Sequence, residues 1–253
     1  MAVRTFLIYL CICVALFGCK NEPYESFPLG ITSLVNNVSN QTTTFRYHDK
    51  QLYTFFSSKT SDTVANMLFH YQNGQIVYIT LDSTKASLKK SFFYYFTEAT
   101  VDSTYFFGAD TVLTSVRSIT YNGSTPATVR VQTWGEDAET GDPIFTDEIA
   151  ELEWTDENVT HLAVSDQSTG EKIPLKSVEI THDDEFSMYT DIDQYIYTLS
   201  LTELYWLSKN NPTTFDDGSN VTTNIFWYNR LGYPAGYQSP TGTTYGVSYK
   251  QIR

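Results

Sequence analysis

Short runs of alternating apolar and polar residues, separated by polar turn residues, extend along most of this chain. Residues 67–71 and 75–79 flank Asn73-Gly74, and residues 43–47 and 52–56 flank a similar polar stretch. The side chains of a strand alternate between its two faces, so this period of two favours strands that are buried on one side. Asn-Gly between two such runs favours a type I′ turn, whose central residues need positive φ. The pattern predicts β-hairpins.

The same unit recurs further along: a strand that ends in an aromatic residue, a polar turn and a returning strand. Its spacing is irregular, which favours a meander of hairpins over a strict repeat array. An acidic loop at 135–143 joins strands predicted at 127–134 and 144–154, and a last strand at 243–252 is expected to pair with residues 232–239. Further turns are predicted at 122–123, 156–158, 182–184 and 229–232.

One segment departs from the β pattern. Residues 200–209 place Leu201, Leu204 and Tyr205 on one helical face, and Pro212 follows where a helix would end. We therefore expect one short helix that covers part of a sheet face or caps one end of the sheet. The predicted fold class is mainly β: an antiparallel meander of hairpins, forming a single curved sheet or an open sandwich, with one helix near 200–209.

Composition supports a packed β domain and narrows its partners. Tyr occurs 19 times and Phe 16 times, and these aromatic residues suit a pleated, half-buried surface. Hydrophobic residues make up 41% of the chain, which is enough for a core and excludes wholesale disorder. The net charge of −13 argues against binding to nucleic acid or to anionic lipid headgroups.

The N-terminus carries a targeting signal. An apolar run of roughly a dozen residues follows Arg4, which fits a signal peptide and falls short of the ~20 residues that a membrane-spanning helix needs. The run ends in Leu16-Phe17-Gly18-Cys19, which resembles a bacterial lipoprotein processing site, where the cysteine becomes the lipidated first residue. An ordinary signal peptide with an incidental cysteine is the alternative. The expected organisation is a signal peptide at 1–18, a lipidated tether at 19–30 and a single β domain at 31–253.

This interpretation places the protein at the outer membrane, anchored through Cys19, on either the periplasmic or the outer face. Cys11 and Cys13 leave with the signal peptide, so Cys19 is the only cysteine left of three and no internal disulfide is expected. The segment Lys20-Asn21-Glu22 contains one acid, fewer than the acidic run that resembles a surface-export signal. The side of the membrane therefore stays open.

Catalytic motifs are scarce in this sequence. Its four histidines lack partners at zinc-ligand spacing, and neither H-E-x-x-H nor a G-x-S-x-G nucleophile motif is present. With 29 acids, a pair of carboxylates that face a shared cleft, as in a glycosidase, stays open. No catalytic residue is predicted, and a non-enzymatic protein is favoured over an enzyme.

Two oxygen-rich stretches raise the hypothesis of calcium binding. Asp183, Asp184, Asp191 and Asp193 lie close together in the sequence, and a second cluster occupies residues 216–220. Calcium takes about six to eight oxygen ligands, but neither stretch matches the loop D-x-[DN]-x-[DN]-G. Solvated acidic loops are the favoured alternative, and no other cofactor is predicted.

Aromatic and hydroxyl residues suggest two further kinds of site. Trp206, Trp227 and Tyr228 are candidates for a platform on which a glycan or a partner protein stacks, against the favoured alternative of core packing. Four Asp-Ser/Thr sequences resemble acceptors for O-glycosylation of exported proteins in Bacteroidota, although local hydrogen bonding in turns also explains them. Their hydroxyl residues are Thr63, Ser83, Ser103 and Thr111.

The C-terminal part of the chain carries a family resemblance. His182-Asp183-Asp184, then Ser208-Lys209-Asn210-Asn211-Pro212, and then a closing Tyr228-Asn229-Arg230-Leu231-Gly232-Tyr233-Pro234 occur in this order. Together they resemble a family of uncharacterised Bacteroidota lipoproteins that share a domain of unknown function, best over residues 178–253. Glu185-Phe186-Ser187 departs from the Asn-Pro that such a family shows after the acidic turn. The resemblance implies an antiparallel β fold on a lipidated tether and brings no catalytic residues.

Three functions stay open from the sequence. We favour a non-enzymatic binding or envelope-associated lipoprotein of the outer membrane. The alternatives are a glycan-acting hydrolase that uses paired carboxylates, and a partner subunit of a cell-surface assembly. The predicted partners are the membrane, through the lipid on Cys19, and a glycan or a protein, but not nucleic acid.

Overall fold

The computed structural model describes residues 29–48, 51–59, 62–72, 75–82, 90–97, 100–107, 112–137, 139–189 and 200–251. These residues form seventeen strands and one short 3₁₀ helix, and the strands pair in antiparallel fashion. The predicted fold class, a mainly β antiparallel meander with one short helix, is confirmed. The strands are β1 (Leu29–Asn36), β2 (Gln41–His48), β3 (Gln51–Lys59), β4 (Asp62–Gln72), β5 (Gln75–Asp82), β6 (Lys90–Thr97), β7 (Thr100–Phe107), β8 (Leu113–Asn122), β9 (Thr125–Glu136), β10 (Pro143–Thr155), β11 (Asn158–Asp166), β12 (Ile173–Phe186), β13 (Asn210–Asp216), β14 (Val221–Thr223), β15 (Ile225–Tyr228), β16 (Pro234–Gln238) and β17 (Thr244–Gln251).

Strand pairing follows the order of the chain. Each strand from β1 to β13 pairs with the next one, β15 pairs with β16, β16 pairs with β17, and β17 pairs with β1. Only Asn224 separates β14 from β15, and its backbone N–H donates to the carbonyl of Thr213 at 2.8 Å. The series of paired strands therefore begins at β14 and ends at β15, two strands that are adjacent in the sequence.

The core lies on one face of the sheet. Ile119, Val129, Ala150 and Val164 occupy paired positions on four successive strands, and each is at most 3% exposed. The next position along β8 and β9 faces the other way, so Thr120 and Thr128 lie near solvent and hydrogen-bond through their hydroxyls at 2.6 Å. This alternation is the one that the hydrophobic pattern predicts.

Five hairpins share one irregularity beside their turn. In each of them, a β-bulge lies directly before an aromatic residue that is next to last in the outgoing strand and pairs with the residue five positions further on. A bulge sets two residues opposite one and bends the strand at that point. The predicted unit of strand, aromatic residue and turn is therefore a structural repeat of constant register, although its spacing in the sequence varies. The aromatic residues are Tyr47, Tyr71, Phe96, Tyr121 and Trp154; Phe107 and Tyr228 also follow a bulge, but each is the last residue of its strand.

Aromatic side chains tie a hairpin to the one before it. The Tyr71 hydroxyl donates to the carbonyl of Leu52 at 2.7 Å, and Trp154 Nε1 donates to the carbonyl of Pro126 at 2.7 Å. Leu52 and Pro126 are the residues that pair with the aromatic residue of the preceding hairpin. Each contact, called an aromatic latch below, thus joins equivalent positions of two successive hairpins. It also supplies a hydrogen-bond donor to a backbone carbonyl near a turn.

The 3₁₀ helix runs from Leu201 to Leu207 and lies against β11. Ser200 and Glu203 form a capping box, in which the Ser200 N–H donates to the Glu203 carboxylate at 3.3 Å. Leu204 is fully buried in the core, and the Ser208 hydroxyl accepts a hydrogen bond from the Val159 N–H at 2.9 Å. A short helix that covers part of a sheet face, as predicted, is confirmed.

Three details differ from the sequence-based expectations. The turn predicted at 182–184 is wrong, because β12 continues to Phe186 and irregular pairing on both sides of His182 accommodates the polar residues. Strand β13 was not foreseen, since Pro212 lies within it. Strand β1 begins at Leu29, inside the predicted tether, because it pairs with both β2 and β17.

Candidate functional site

Asp183 on β12 and Tyr228 on β15 meet near the end of the sheet at which the chain enters β1. The Tyr228 hydroxyl donates a hydrogen bond to Asp183 Oδ2, although 45 residues separate the two. The backbone N–H groups of Asn211 and Glu185 donate to Asp183 Oδ1 at 3.2 and 3.1 Å. The sequence singled out Asp183 and Tyr228 for different roles, and the structure places both in one cluster.

The side chain of Asn211 on β13 holds the backbone that follows Asp183 in place. Its side chain is fully buried, and Nδ2 donates to the carbonyl of Phe186 at 2.8 Å. Its Oδ1 accepts a hydrogen bond from the Met188 N–H at 3.2 Å. A buried amide needs partners for both its donor and its acceptor. Asn211 therefore holds the end of β12 in the conformation that directs Asp183 toward Tyr228.

His182 lies beside the cluster and is neutral at physiological pH. Its Nε2 is 3.0 Å from the hydroxyl of Ser208, a buried residue just after the helix. Removal from solvent lowers the pKa of His182 to about 4, against the smaller opposing effect of the Asp183 charge. Because burial penalises the charged imidazolium, His182 serves here as a neutral hydrogen-bonding group that joins β12 to the helix.

Three aromatic rings contact one another in series at the same end of the sheet. Phe186 stacks on Tyr233 with ring centroids 5.3 Å apart, and Tyr233 contacts Tyr249 at the same distance. Burial raises the pKa of Tyr228 and of Tyr249, so both phenols are protonated at neutral pH. Within the part of the chain that the structure describes, the buried hydroxyl of Tyr249 has no hydrogen-bond partner. The cluster thus combines an exposed ring, Phe186, with polar groups beneath it.

The other two residues proposed for an aromatic platform lie elsewhere. Trp206 is 8% exposed and packs edge-on against Tyr189 and Tyr237 in the core, so it presents no ring face to a ligand. Trp227 is half-exposed, but one side of its indole lies against Gly236 on the neighbouring strand. Trp206 therefore packs in the core, and Trp227 packs against the neighbouring strand on one side only.

The described acids do not form a metal site. Asp183 is bound by the donors named above, Asp184 is exposed on the same strand, and Asp191 and Asp193 lie outside the described residues. Asp217 Oδ1 accepts hydrogen bonds from the N–H groups of Asn220 and Ser219, which lower its pKa and close its own turn. Across the described ranges, no three His, Cys, Asp or Glu residues are grouped closely enough to hold an ion.

The modification sites fall largely outside the described residues. Cys19, Ser83 and Thr111 are not described, and for Thr63 only its backbone position in β4 is known. Ser103 lies in β7, half-buried, opposite Ser118 of β8. No helix among the described residues has the length and hydropathy to cross a bilayer.

A second exposed aromatic pair was missed from sequence. Trp134 on β9 and Phe145 on β10 are cross-strand partners whose ring centroids lie 5.7 Å apart. The acidic loop between them was the available signal, because it implied that the two strands form a hairpin. The alternation of apolar and polar residues did not show that the ladder between β9 and β10 continues past the ladders with β8 and β11.

The cluster around Asp183 is arranged to position groups more than to transfer protons. Each oxygen of Asp183 already accepts at least one hydrogen bond from described residues, and Asp147 is held in the same way by Arg130 and Gln132. The hydrogen bonds from the Arg130 guanidinium hold the pKa of Asp147 below its usual range. Asp183 and Asp147 therefore connect neighbouring strands through their hydrogen bonds.

Comparison with known proteins shows the fold and nothing finer. No model of a protein family matches the chain, and no curated protein matches it. A porin-like protein from Bacteroides uniformis ATCC 8492 shares the fold with a TM-score of 0.52 and 9% identity, over 90% of this chain and 98% of the other. A porin-like protein from Bacteroides vulgatus ATCC 8482 matches with a TM-score of 0.52 and 8% identity, over 89% of this chain and 100% of the other.

Proposed function

We propose that this protein is a lipid-anchored, non-enzymatic binding protein of the bacterial outer membrane, with Cys19 as its anchor. The observation that carries the proposal is the sequence Leu16-Phe17-Gly18-Cys19 at the end of a short apolar run. The structural matches to porin-like proteins of Bacteroides support an envelope location. The resemblance of residues 178–253 to Bacteroidota lipoproteins points the same way.

The described part of the molecule supports binding over catalysis. The carboxylates of Asp183 and Asp147 accept hydrogen bonds that connect strands, and His182 is buried as a neutral group. Exposed apolar side chains, in contrast, lie on the surface at Trp134 and Phe145, whose rings contact each other, and at Phe186, which stacks on the half-buried Tyr233. Contiguous exposed apolar groups on a soluble domain mark interaction sites.

Lipid labelling tests the anchor. Cells that express the chain are grown with an alkyne-bearing palmitate analogue, and we expect label on the wild-type protein and none on Cys19→Ser. Cys13→Ser is the matched control and should keep the label, because Cys13 lies in the segment removed by processing. Equal labelling of the Cys19→Ser variant, or an intact mass that still includes residues 1–18, would contradict the proposal.

Protease treatment of whole cells then decides which face of the outer membrane carries the domain. Digestion in intact cells assigns it to the outer face, and digestion only after the outer membrane is permeabilised assigns it to the periplasmic face.

A further inference from the structure

The hairpin formed by β9 and β10 projects beyond the strands beside it. The ladder between these two strands continues as far as Glu136 and Pro143. The ladder of β9 with β8 ends at Thr133, and that of β10 with β11 ends at Glu148. Residues 134–146, called the arm below, therefore extend past the ladders on both sides.

Both faces of the arm are apolar and exposed. Trp134 is 39% exposed and Phe145 is 41% exposed, and their rings contact each other on one face. Ile144 is 42% exposed on the other face, where its partner is Gly135, which has no side chain to cover it. Further down the same strands, Val129 and Ala150 are fully buried. The arm thus carries large, exposed apolar side chains beyond the part of β9 and β10 that is buried in the core.

The negative charge of the arm favours the binding of a basic partner. Glu136, Asp137, Glu139 and Asp142 lie between Trp134 and Thr146, and no lysine or arginine does. The N–H groups of Thr140 and Glu139 hydrogen-bond Asp137 Oδ1 and lower the pKa of that carboxyl, so it is charged at neutral pH. Such a negative field repels a second copy of this acidic chain and anionic headgroups, and attracts cations.

The arm also points away from the place where the chain enters the domain. Strand β1 begins at Leu29 beside Gln251 and runs toward the turn at 37–40. In an antiparallel meander, alternate turns lie at opposite ends, so the turn at 137–142 lies at the same end as the turn at 37–40. If Cys19 holds the start of β1 near a bilayer, as proposed above, the arm faces away from that bilayer.

We propose that the arm is a docking site for a basic, aliphatic segment of a partner protein, in which lysine or arginine side chains alternate with or flank apolar ones. The apolar side chains of that segment cover Trp134, Phe145 and Ile144, and its cations lie against the acids of the turn. This deepens the role of a binding protein, and rests on it, by naming the chemistry of its partner.

A peptide of alternating lysine and leucine is the probe, and binding to the soluble Cys19→Ser chain is measured by calorimetry. We expect binding that weakens as NaCl rises from about 50 to 300 mM, because salt screens the charges. Trp134→Ser with Phe145→Ser should weaken binding about tenfold or more, since buried aromatic anchors dominate such interfaces. The control pair, Tyr53→Ser with Leu231→Ser, removes two more exposed apolar side chains outside the arm and should bind like the parent.

Charge is tested separately, in case the aromatic variant fails to fold. Glu136→Gln with Glu139→Gln should weaken binding several-fold, whereas Glu153→Gln with Glu179→Gln, which removes the same charge from exposed positions outside the arm, should not. A peptide of alternating glutamate and leucine should not bind.

Three results would overturn the proposal: absence of binding, equal loss in the arm and control variants, or co-sedimentation of the chain with neutral phosphatidylcholine vesicles through the arm. The assay uses unlipidated protein, so its outcome is independent of palmitate labelling at Cys19.

Discussion

Gly236 shows how one missing side chain allows three groups to meet. A Cβ at this position would lie 2.4 Å from the carbonyl oxygen of Tyr245 and 2.5 Å from the Trp227 ring. Glycine in a strand often marks such a close approach, and an aromatic ring across the ladder covers the gap. Trp227, a candidate ligand platform from sequence, is half-exposed because its inner side is used in this packing.

Gly236→Ala is expected to destabilise the protein by about 2 kcal/mol, because either the indole or the backbone of β17 must move. Gly246, which pairs with Gly236, has open space where a Cβ would lie, so Gly246→Ala is the matched control and should be neutral or slightly stabilising. Urea unfolding of both variants checks this. Equal free energies of unfolding for the two variants would show that the indole does not constrain the site.

His182 makes stability depend on pH in a defined window. Its pKa is about 4 in the folded protein and near 6.5 when unfolded, so between these values only the unfolded chain binds the proton. Stability from the neutral imidazole is therefore complete above pH 6.5 and is lost as pH falls toward 4. The melting temperature of wild type should fall more between pH 7 and 5 than that of His182→Gln. Equal losses for wild type and His182→Gln over this range would show that His182 is not the group responsible.

At the level of elements, the turns of the repeated hairpin were predictable from the sequence, whereas its bulges were not. The turns after Tyr71, Tyr121, Trp154 and Tyr228 were predicted because polar residues interrupt an alternating pattern. The bulge before each aromatic residue was not, since a bulge depends on how two strands pair. Strand pairing also explains why the turn predicted at 182–184 is wrong. Irregular pairing on both sides of His182 lets β12 continue through these polar residues.

The aromatic latch is expected to contribute measurably to stability. Tyr71→Phe removes the hydroxyl that donates to the Leu52 carbonyl and keeps the ring, so it should cost about 1 kcal/mol. Tyr53→Phe, at an exposed tyrosine of β3, is the control and should change stability by a few tenths of a kcal/mol at most. Chemical denaturation with both variants measures the difference. If Tyr71→Phe unfolds at the same urea concentration as Tyr53→Phe, the latch is not a stabilising contact.

At the level of the whole molecule, strand pairing joins the two ends of the described chain. Strand β1 lies between β2 and β17, so residues near 30 and near 250 share one ladder. The proposed tether therefore enters the domain beside its last strand, and the arm lies at the opposite end. If Cys19 carries the proposed lipid, that lipid holds this acidic chain, of net charge −13, near a membrane whose anionic headgroups repel it.

Sequence alone specified the properties that depend on residues near one another in the chain. The apolar run before Cys19, the alternation of the strands, their polar turns and the short helix near 200–209 are all local patterns, and local patterns select secondary structure. The tertiary structure decided which distant residues meet. Tyr228 reaches Asp183, Trp206 enters the core and Trp134 is left exposed because pairing register and strand length, set by the whole sheet, place each side chain.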